Sequence, residues 1–132
     1  MKEKAIQFGK ALDQDDFATA ESLLSEDCHY YIGEETLIGP KAICDSYEQN
    51  MLEGRQKLDE LVWGNAEIEV VSDLEYIVHF TDYLTHKNQK HTHRCEQQLT
   101  FNTQGKIISI HHINNQKEQI ALHDFYVKVG LK

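Results

Sequence analysis

The sequence has 132 residues, of which 40% are hydrophobic and 27% are charged, with a formal net charge of −9. This size and composition suit one globular domain over residues 1–132 with a single core, and the acidic balance argues against nucleic acid or an anionic membrane surface as a partner. The three cysteines are widely spaced and odd in number, and no secretory signal is visible, so we expect reduced thiols in a cytoplasmic protein.

Two helices are predicted at the start of the chain. Apolar residues recur at helical spacing over residues 2–12, and a second apolar stripe runs from Phe17 to Leu24. The carboxylates of residues 13–16 precede that stripe and are suited to cap its helix. Residues 25–27 are expected to end it.

A short strand pair and a third helix follow. Residues 28–32 and 36–38 are predicted to form the strands, and Pro40 is expected in the first turn of the helix, where its missing N–H costs nothing. Gly54 is expected to help end that helix. Residues 58–71 have an irregular strand-like pattern.

A long antiparallel meander is predicted next. Residues 74–86, 91–101 and 106–114 read as strands. We expect a four-residue loop over 87–90 and a two-residue turn at Gln104 and Gly105, where glycine supplies a positive φ.

A C-terminal helix over residues 116–131, ended by Gly130, completes the chain. The order of elements predicts an α+β fold, in which a curved antiparallel sheet carries its helices on one face.

The two expected connections place three rows of side chains on the inner face of the meander. The row nearest the short turn is apolar and belongs to the core, and the next two are more polar, which predicts a pocket because buried polar groups need partners or a ligand. A sheet that simply runs out into solvent would give the same pattern. In order, the rows are Val78, Leu99 and Ile110; then Phe80, Gln97 and His112; then Asp82, Cys95 and Asn114.

His112 and Asp82 lie close enough in this arrangement to interact, directly or through water. A histidine oriented by a carboxylate is a typical general base, since imidazole titrates near neutral pH.

The outer face of the meander is too apolar for a freely solvated surface, which suggests a subunit contact. The residues that indicate it are Ile77, Tyr83, Ile107 and Ile113.

Other chemistry has weaker signals. His86, His91 and His93 could hold Zn²⁺, but a solvated hairpin tip explains them as well, and neither a metal nor a cofactor is expected. His93 could activate Cys95 as a nucleophile, although a small buried cysteine is the default interpretation.

Four segments carry a family resemblance. In order, they are Phe8-x-x-Ala-Leu-Asp13, Leu23-Leu-Ser-Glu-Asp27, Gly39-Pro-x-Ala-Ile-x-x-x-Tyr47 and Phe101-Asn-x-x-Gly-Lys-Ile-Ile-Ser-Ile110. The chain resembles the nuclear-transport-factor-two-like superfamily, in its SnoaL-like and ketosteroid-isomerase-like branch. The resemblance implies a cone, with a strongly bent sheet wrapped around helices, a pocket at the open end and homodimers packed through the sheet.

Catalytic residues do not transfer with this resemblance. The three positions used by the steroid isomerases correspond here to Phe8, Tyr30 and Gln97, which all depart from the family pattern, whereas Tyr47 matches a pocket tyrosine. The resemblance therefore implies a pocket for a small hydrophobic molecule, with isomerase, cyclase or dehydratase activity on a carbonyl compound as one possibility. The alternatives are a non-catalytic binding protein and a protein-interaction module.

If the protein is an enzyme, we expect His112 to be the general base and Asp82 to orient it. Gln97 with Tyr30 or Tyr47 would then hydrogen-bond the developing oxyanion. The expected ligand-binding residues are Tyr30, Tyr47, Trp63, Phe80, Cys95, Gln97 and Asn114.

Overall fold

A computed structural model describes residues 1–132 as four helices and seven strands. None of the helices has the length and apolar character that a membrane crossing requires. The helices are α1 (Lys2–Asp13), α2 (Phe17–Ser22), α3 (Pro40–Lys57) and α4 (Gln116–Lys128). The strands are β1 (Leu24–Ile32), β2 (Glu35–Ile38), β3 (Glu60–Trp63), β4 (Glu67–Val70), β5 (Glu75–His86), β6 (Gln89–Phe101) and β7 (Ile107–His112).

The strands form one curled, open sheet in the order β2-β1-β7-β6-β5-β3, and β4 also pairs with β5. Every pair is antiparallel except β1 with β7, which is parallel. Helix α1 packs on β4 and β5, α3 packs on β1, β2 and β3, and α4 packs on β6. The predicted α+β fold with a curved sheet is confirmed.

The start of α2 follows from its cap. Asp16 accepts hydrogen bonds from the backbone N–H and the hydroxyl of Thr19, at 3.2 and 2.7 Å, as a carboxylate cap should. The helix ends at Ser22, and residues 25–27 lie inside β1 instead of separating a helix from a strand. The pairing of β1 with β7 is irregular between Leu24 and His29, and residues 25–27 lie in that irregular part.

Helix α3 begins as predicted but does not end at Gly54. Gly39 precedes it with φ +95°, and Pro40 occupies its first position. The helix continues to Lys57, past Gly54. A Cβ at position 54 would lie 2.7 Å from Leu61 Cδ2, so the glycine allows β3 to approach the helix.

The β5–β6 connection is shorter than predicted. Only Lys87 and Asn88 form the turn, with φ of 49° and 63°, which is the left-handed backbone of a tight hairpin turn. The expected four-residue loop is therefore wrong, and the pairing slides by two residues. An even slide keeps each side chain on its expected face and changes only the residue opposite it.

The β6–β7 pairing is partly as predicted. Gln97 lies opposite His112, and Leu99 lies opposite Ile110, but Phe101 pairs with Ile107 and not with Ile108. The turn is longer than the predicted two residues, because the Asn102 side-chain carbonyl accepts the backbone N–H groups of residues 104 and 106, each at 3.0 Å. Gly105 has the expected positive φ, +83°.

The β-bulge next to this turn changes the outer face. Ile107, predicted to lie there, is fully buried, whereas Ile108 is exposed. The bulge is the reason, because it shifts the pairing by one residue between Thr100 and Phe101.

The main core lies between the sheet and helices α1 to α3, and a smaller apolar cluster lies where α4 packs on the β5–β6 hairpin. Tyr47 is only half-buried, because it lines a cavity. The other predicted core residues are buried: Phe8, Leu12, Leu24, Met51, Val78, Leu99, Ile110 and Phe125.

Candidate functional site

A cavity of about 580 Å³ opens between the concave face of the sheet and the helices. All four helices and strands β1, β3, β5, β6 and β7 contribute to its walls. Its volume falls in the range of sites that bind drug-sized molecules.

Most of the residues predicted for a site lie around this cavity. Asn114 does not: it follows the end of β7 and is exposed, and with the observed pairing it no longer belongs to a row with Asp82. The residues that line the cavity are Tyr30, Tyr47, Trp63, Phe80, Asp82, Cys95, Gln97 and His112.

Four polar side chains form one hydrogen-bonded group, here called the amide cluster: Gln97, Tyr30, Tyr47 and His112. The Tyr47 hydroxyl donates to Gln97 Oε1 at 2.5 Å. Gln97 Nε2 donates to the Tyr30 hydroxyl oxygen at 2.9 Å and lies 3.4 Å from His112 Nδ1. Gln97, with 4% of its surface exposed, therefore has partners for its amide oxygen and amide nitrogen.

Burial sets the charge of the amide cluster. Burial is the main cause that raises the pKa of Tyr30 to about 12 and that of Tyr47 well above its ordinary value, so both hydroxyls keep their protons at neutral pH. Burial also lowers the pKa of His112 below 6.5. The cluster is therefore uncharged at neutral pH.

Two carboxyl groups, Asp82 and Asp13, lie in another part of the wall, here called the acidic end. Burial, together with the nearby charge of Asp13, raises the pKa of Asp82 to about 7. Asp13 accepts the Ala66 backbone N–H at 2.7 Å, and burial raises its pKa as well. A carboxyl group with a pKa near 7 can take up or release a proton at neutral pH.

No hydrogen bond joins Asp82 to His112, so Asp82 does not orient the imidazole as predicted. Asp82 lies opposite His93, and the strand partner of Gln97 on β5 is Val78. Asp82 lies four positions after Val78 on β5, about 13 Å along the strand. The two-residue turn causes this separation. The predicted four-residue loop would place Asp82 opposite Cys95, one row nearer to Gln97.

A clamp holds the helices to β3 beside the cavity. Asp15 accepts hydrogen bonds from Arg55 Nη1 at 2.6 Å and from Trp63 Nε1 at 2.8 Å, and the guanidinium lies 5.7 Å from the centre of the Trp63 ring. Asp15 has a left-handed backbone, φ 55°. The acidic segment of residues 13–16 is predicted only to cap a helix, and no sequence signal connects Asp15 to Arg55.

The three histidines considered for zinc contact α4 or the loop before β3. The His91 ring stacks on Phe125 at 5.2 Å, His93 Nδ1 lies 3.8 Å from Glu118 Oε1, and His86 Nδ1 lies 3.5 Å from Asp59 Oδ1. No group of three or more His, Cys, Asp or Glu side chains is arranged to hold a metal ion.

Cys95 lines the cavity opposite Phe80. Burial raises the pKa of its thiol to about 12, so the thiolate that a nucleophile needs is scarce at neutral pH.

The sequence matches no protein-family model and no curated protein, but solved structures share its fold. A candidate polyketide cyclase from Xanthomonas campestris is 12% identical, with a TM-score of 0.69 over 91% of this chain and 93% of its own. An NTF2-like protein from Burkholderia pseudomallei is 14% identical, with a TM-score of 0.67 over 92% and 95%.

A Mycobacterium tuberculosis protein in complex with estradiol-17beta-hemisuccinate is 13% identical, with a TM-score of 0.64 over 87% of this chain and 93% of its own. At these identities the likeness concerns the fold. The chain has the nuclear-transport-factor-two-like cone fold, as the resemblance predicted.

Proposed function

We propose that the protein binds a small, mainly apolar molecule that carries a carbonyl oxygen, and that it catalyses a proton transfer on that molecule. Asp82 is the proton acceptor and donor, and the amide cluster holds the oxygen. The observation that carries the proposal is a carboxyl group with a pKa of about 7 in the wall of a cavity. The reaction belongs to the isomerase, cyclase or dehydratase type.

The walls suit such a ligand. Hydrophobic residues make up about half of the lining, and Phe80 and Trp63 offer aromatic surface. The Tyr47 hydroxyl donates to Gln97, so within the amide cluster His112 and the Tyr30 hydroxyl remain as donors to a ligand. Polar groups at fixed places between apolar surfaces orient a ligand without requiring it to be charged. Proteins of the same fold include a candidate polyketide cyclase and one solved with a steroid derivative, which agrees with a ligand of this class.

The proposed step begins with ionised Asp82. A C–H bond of the ligand breaks, the proton moves to an Asp82 oxygen, and the electron pair passes into the carbonyl group, whose oxygen becomes negative. Hydrogen bonds from the amide cluster stabilise that oxygen. Returning the same proton to a different carbon gives an isomer, and Asp82 is ionised again.

The distance between the two ends constrains the ligand. Asp82 lies four positions along β5 from Val78, the strand partner of Gln97, which is about 13 Å of strand. The carbon that loses its proton is therefore remote from the oxygen that becomes negative. Only a conjugated system carries charge over several bonds, so the favoured substrate is a conjugated enone or an aromatic ketone of two or more rings.

His112 is the base expected from the sequence, and Asp82 fits that role better. Burial makes His112 a weaker base than free imidazole, and one of its ring nitrogens faces the Gln97 amide. Burial acts on a carboxylate in the opposite direction and makes Asp82 a stronger base than a free carboxylate.

A non-catalytic binding protein is the alternative within the same cavity. The open volume of about 580 Å³ favours an enzyme or a binding protein over a protein-interaction module. In a protein-interaction module, we expect side chains to fill the cavity.

Octalone, a two-ring conjugated enone, tests the proposal. In deuterated buffer, the protein should accelerate exchange of the γ-hydrogens of octalone, the acidic hydrogens remote from its carbonyl group, for deuterium, and NMR distinguishes them from the hydrogens next to the carbonyl. Asp82→Asn keeps the shape of the side chain and removes the base, so exchange should slow by about 100- to 10,000-fold. His112→Gln should slow exchange less than Asp82→Asn does.

The control is Asp124→Asn, which changes an exposed carboxylate on α4 and should leave the exchange rate unchanged. NMR line broadening of octalone measures binding separately. Binding without accelerated exchange would overturn the catalytic part and leave the binding protein. Exchange that survives Asp82→Asn and is lost in His112→Gln would return the base role to His112.

A further inference from the structure

We propose that Gln97 is a positioning residue that holds His112 in the tautomer protonated at Nε2, so that the imidazole donates a hydrogen bond to the bound molecule. This deepens the proposed function, on which it rests for the identity of that molecule. The tautomer itself is a property of the protein without ligand.

The direction of the Gln97 amide is the first step. The Tyr47 hydroxyl donates to Gln97 Oε1 at 2.5 Å, which places the amide oxygen towards α3. The amide NH₂ group then lies on the other side, where the Tyr30 hydroxyl oxygen accepts one of its protons at 2.9 Å. The second proton remains for another acceptor.

His112 Nδ1 is the remaining neighbour of that group. Gln97 and His112 are directly paired between β6 and β7, and Gln97 Nε2 lies 3.4 Å from His112 Nδ1. A proton on Nδ1 would point at the amide N–H, and two donors cannot satisfy each other inside a protein. Nδ1 must therefore carry no proton.

The position of the imidazole proton follows. Burial lowers the pKa of His112, so the ring is neutral at and above pH 7 and carries one proton. With Nδ1 bare, that proton is on Nε2. Since His112 lines the cavity, Nε2–H is a donor available to a ligand.

The consequence is a requirement on the ligand. A group that only accepts, such as a carbonyl or phenolate oxygen, matches the Nε2–H, whereas an N–H group of a ligand opposes it. Gln97 therefore determines which chemical class the amide cluster binds, although it reaches the ligand through His112.

Nitrogen NMR of protein containing ¹⁵N-labelled histidine tests the tautomer directly, because bare and protonated ring nitrogens resonate far apart. In ligand-free wild-type protein at about pH 7.5, above the ordinary histidine pKa, Nδ1 of His112 should have the shift of a bare nitrogen. His112→Gln assigns the signals by their disappearance.

Gln97→Glu replaces the donor beside Nδ1 with a carboxylate that only accepts. The proton should then move to Nδ1, or the ring should become protonated on both nitrogens. Tyr47→Phe is a second, milder variant that removes only the donor to Oε1. The amide should then lose its fixed direction, and the His112 signals should move towards the mixture seen in free imidazole.

Gln98→Met is the matched control. Gln98 and His111 form the neighbouring pair of the same two strands, and Gln98 donates to Glu75 at 2.7 Å. This variant should leave the His112 signals unchanged. A wild-type His112 protonated at Nδ1, or a tautomer unaffected by both Gln97→Glu and Tyr47→Phe, would overturn the proposal. The spectra need no ligand, so they test the tautomer separately from the proposed function. The predicted tautomer can be absent while octalone exchange is accelerated, and it can be present while octalone exchange is not.

Discussion

Asp82 lies directly opposite His93 in the β5–β6 hairpin. Lys87 and Asn88 determine this pairing, because they alone connect the two strands. The position of the candidate base relative to the amide cluster therefore depends on a turn at the far end of the hairpin. Changes in that turn test the structure of the site without touching it.

Asn88→Gly should stabilise the protein. Asn88 has φ 63°, a left-handed backbone that glycine adopts without the penalty of a Cβ. We expect the free energy of unfolding to rise by roughly 0.5–1 kcal/mol, as measured by urea denaturation. Asn102→Gly is the contrasting variant and should lower it, since the Asn102 side chain holds two backbone N–H groups. A destabilising Asn88→Gly would contradict the two-residue turn.

Asp82→Asn should raise stability at high pH. The pKa of Asp82 is raised from 3.8 to about 7 in the folded protein, so its ionisation opposes folding. This cost is absent below pH 3.8, grows as the pH rises to about 7 and then stays constant.

At about pH 8 we therefore expect Asp82→Asn to unfold at higher urea concentration than wild type. Its free energy of unfolding should be higher by an amount on the order of a few kcal/mol. The two proteins should be similar at about pH 4. Asp124→Asn serves as the control, and equal stability of wild type and Asp82→Asn at both pH values would show that the Asp82 carboxylate is well solvated.

His93 should make the protein sensitive to acid. Burial is the main cause that lowers its pKa below 6.5, the charges of His91 and His112 act in the same direction, and Glu118 opposes them. The unfolded chain takes up this proton first, so stability is lost as the pH falls from 6.5 towards the folded pKa.

His93→Gln should flatten that loss, as followed by thermal unfolding across this pH range. His123→Gln changes an exposed histidine of α4 and should behave as wild type does. An acid transition unchanged by His93→Gln would assign it to other groups.

We propose a homodimer through the outer face of the sheet, which buries Ile77, Tyr83 and Ile113. Tyr83 is 49% exposed and is suited to such a contact. Tyr83→Lys should convert the dimer to a monomer at micromolar concentration in light scattering and leave the fold intact.

Ile107→Lys tests whether Ile107 belongs to the core and not to that outer face. Because Ile107 is fully buried, the lysine should unfold the protein, whereas Ile108→Lys changes an exposed residue and should remain folded. A monomeric wild-type protein would exclude the dimer, and a folded Ile107→Lys would contradict the β-bulge.

The sequence predicts the faces of the sheet better than its rows. Alternation places Asp82 and Gln97 on the inner face. A connecting loop that is shorter or longer by an even number of residues leaves them there. The row depends on whether Lys87 and Asn88 adopt left-handed backbones, and Lys is not a residue that signals this. The predicted pairing of Gln97 with His112 is correct although the turn is longer than predicted, because the β-bulge between Thr100 and Phe101 shifts the register by one residue and restores it.

Contacts between distant segments were less accessible. Tyr47 was predicted near the pocket from the family resemblance, and its hydrogen bond to Gln97 depends on how the helix lies across the sheet. The clamp at Asp15 joins residues 40 and 48 positions apart, each of which has an ordinary surface role in its local sequence. Sequence patterns describe one element at a time, and these bonds connect several.

The parallel pairing of β1 with β7 has a consequence for the order of folding. It joins an early segment to a late one, as at Tyr30 and Ile110, and the amide cluster spans 67 positions between Tyr30 and Gln97. Closing so large a loop costs chain entropy before any contact repays it, so these bonds should form late and slowly. On the ribosome, the chain cannot complete its sheet until β7 has left the exit tunnel. A chain truncated before Ile107 would leave the edges of β1 and β6 unpaired, and we expect it to aggregate.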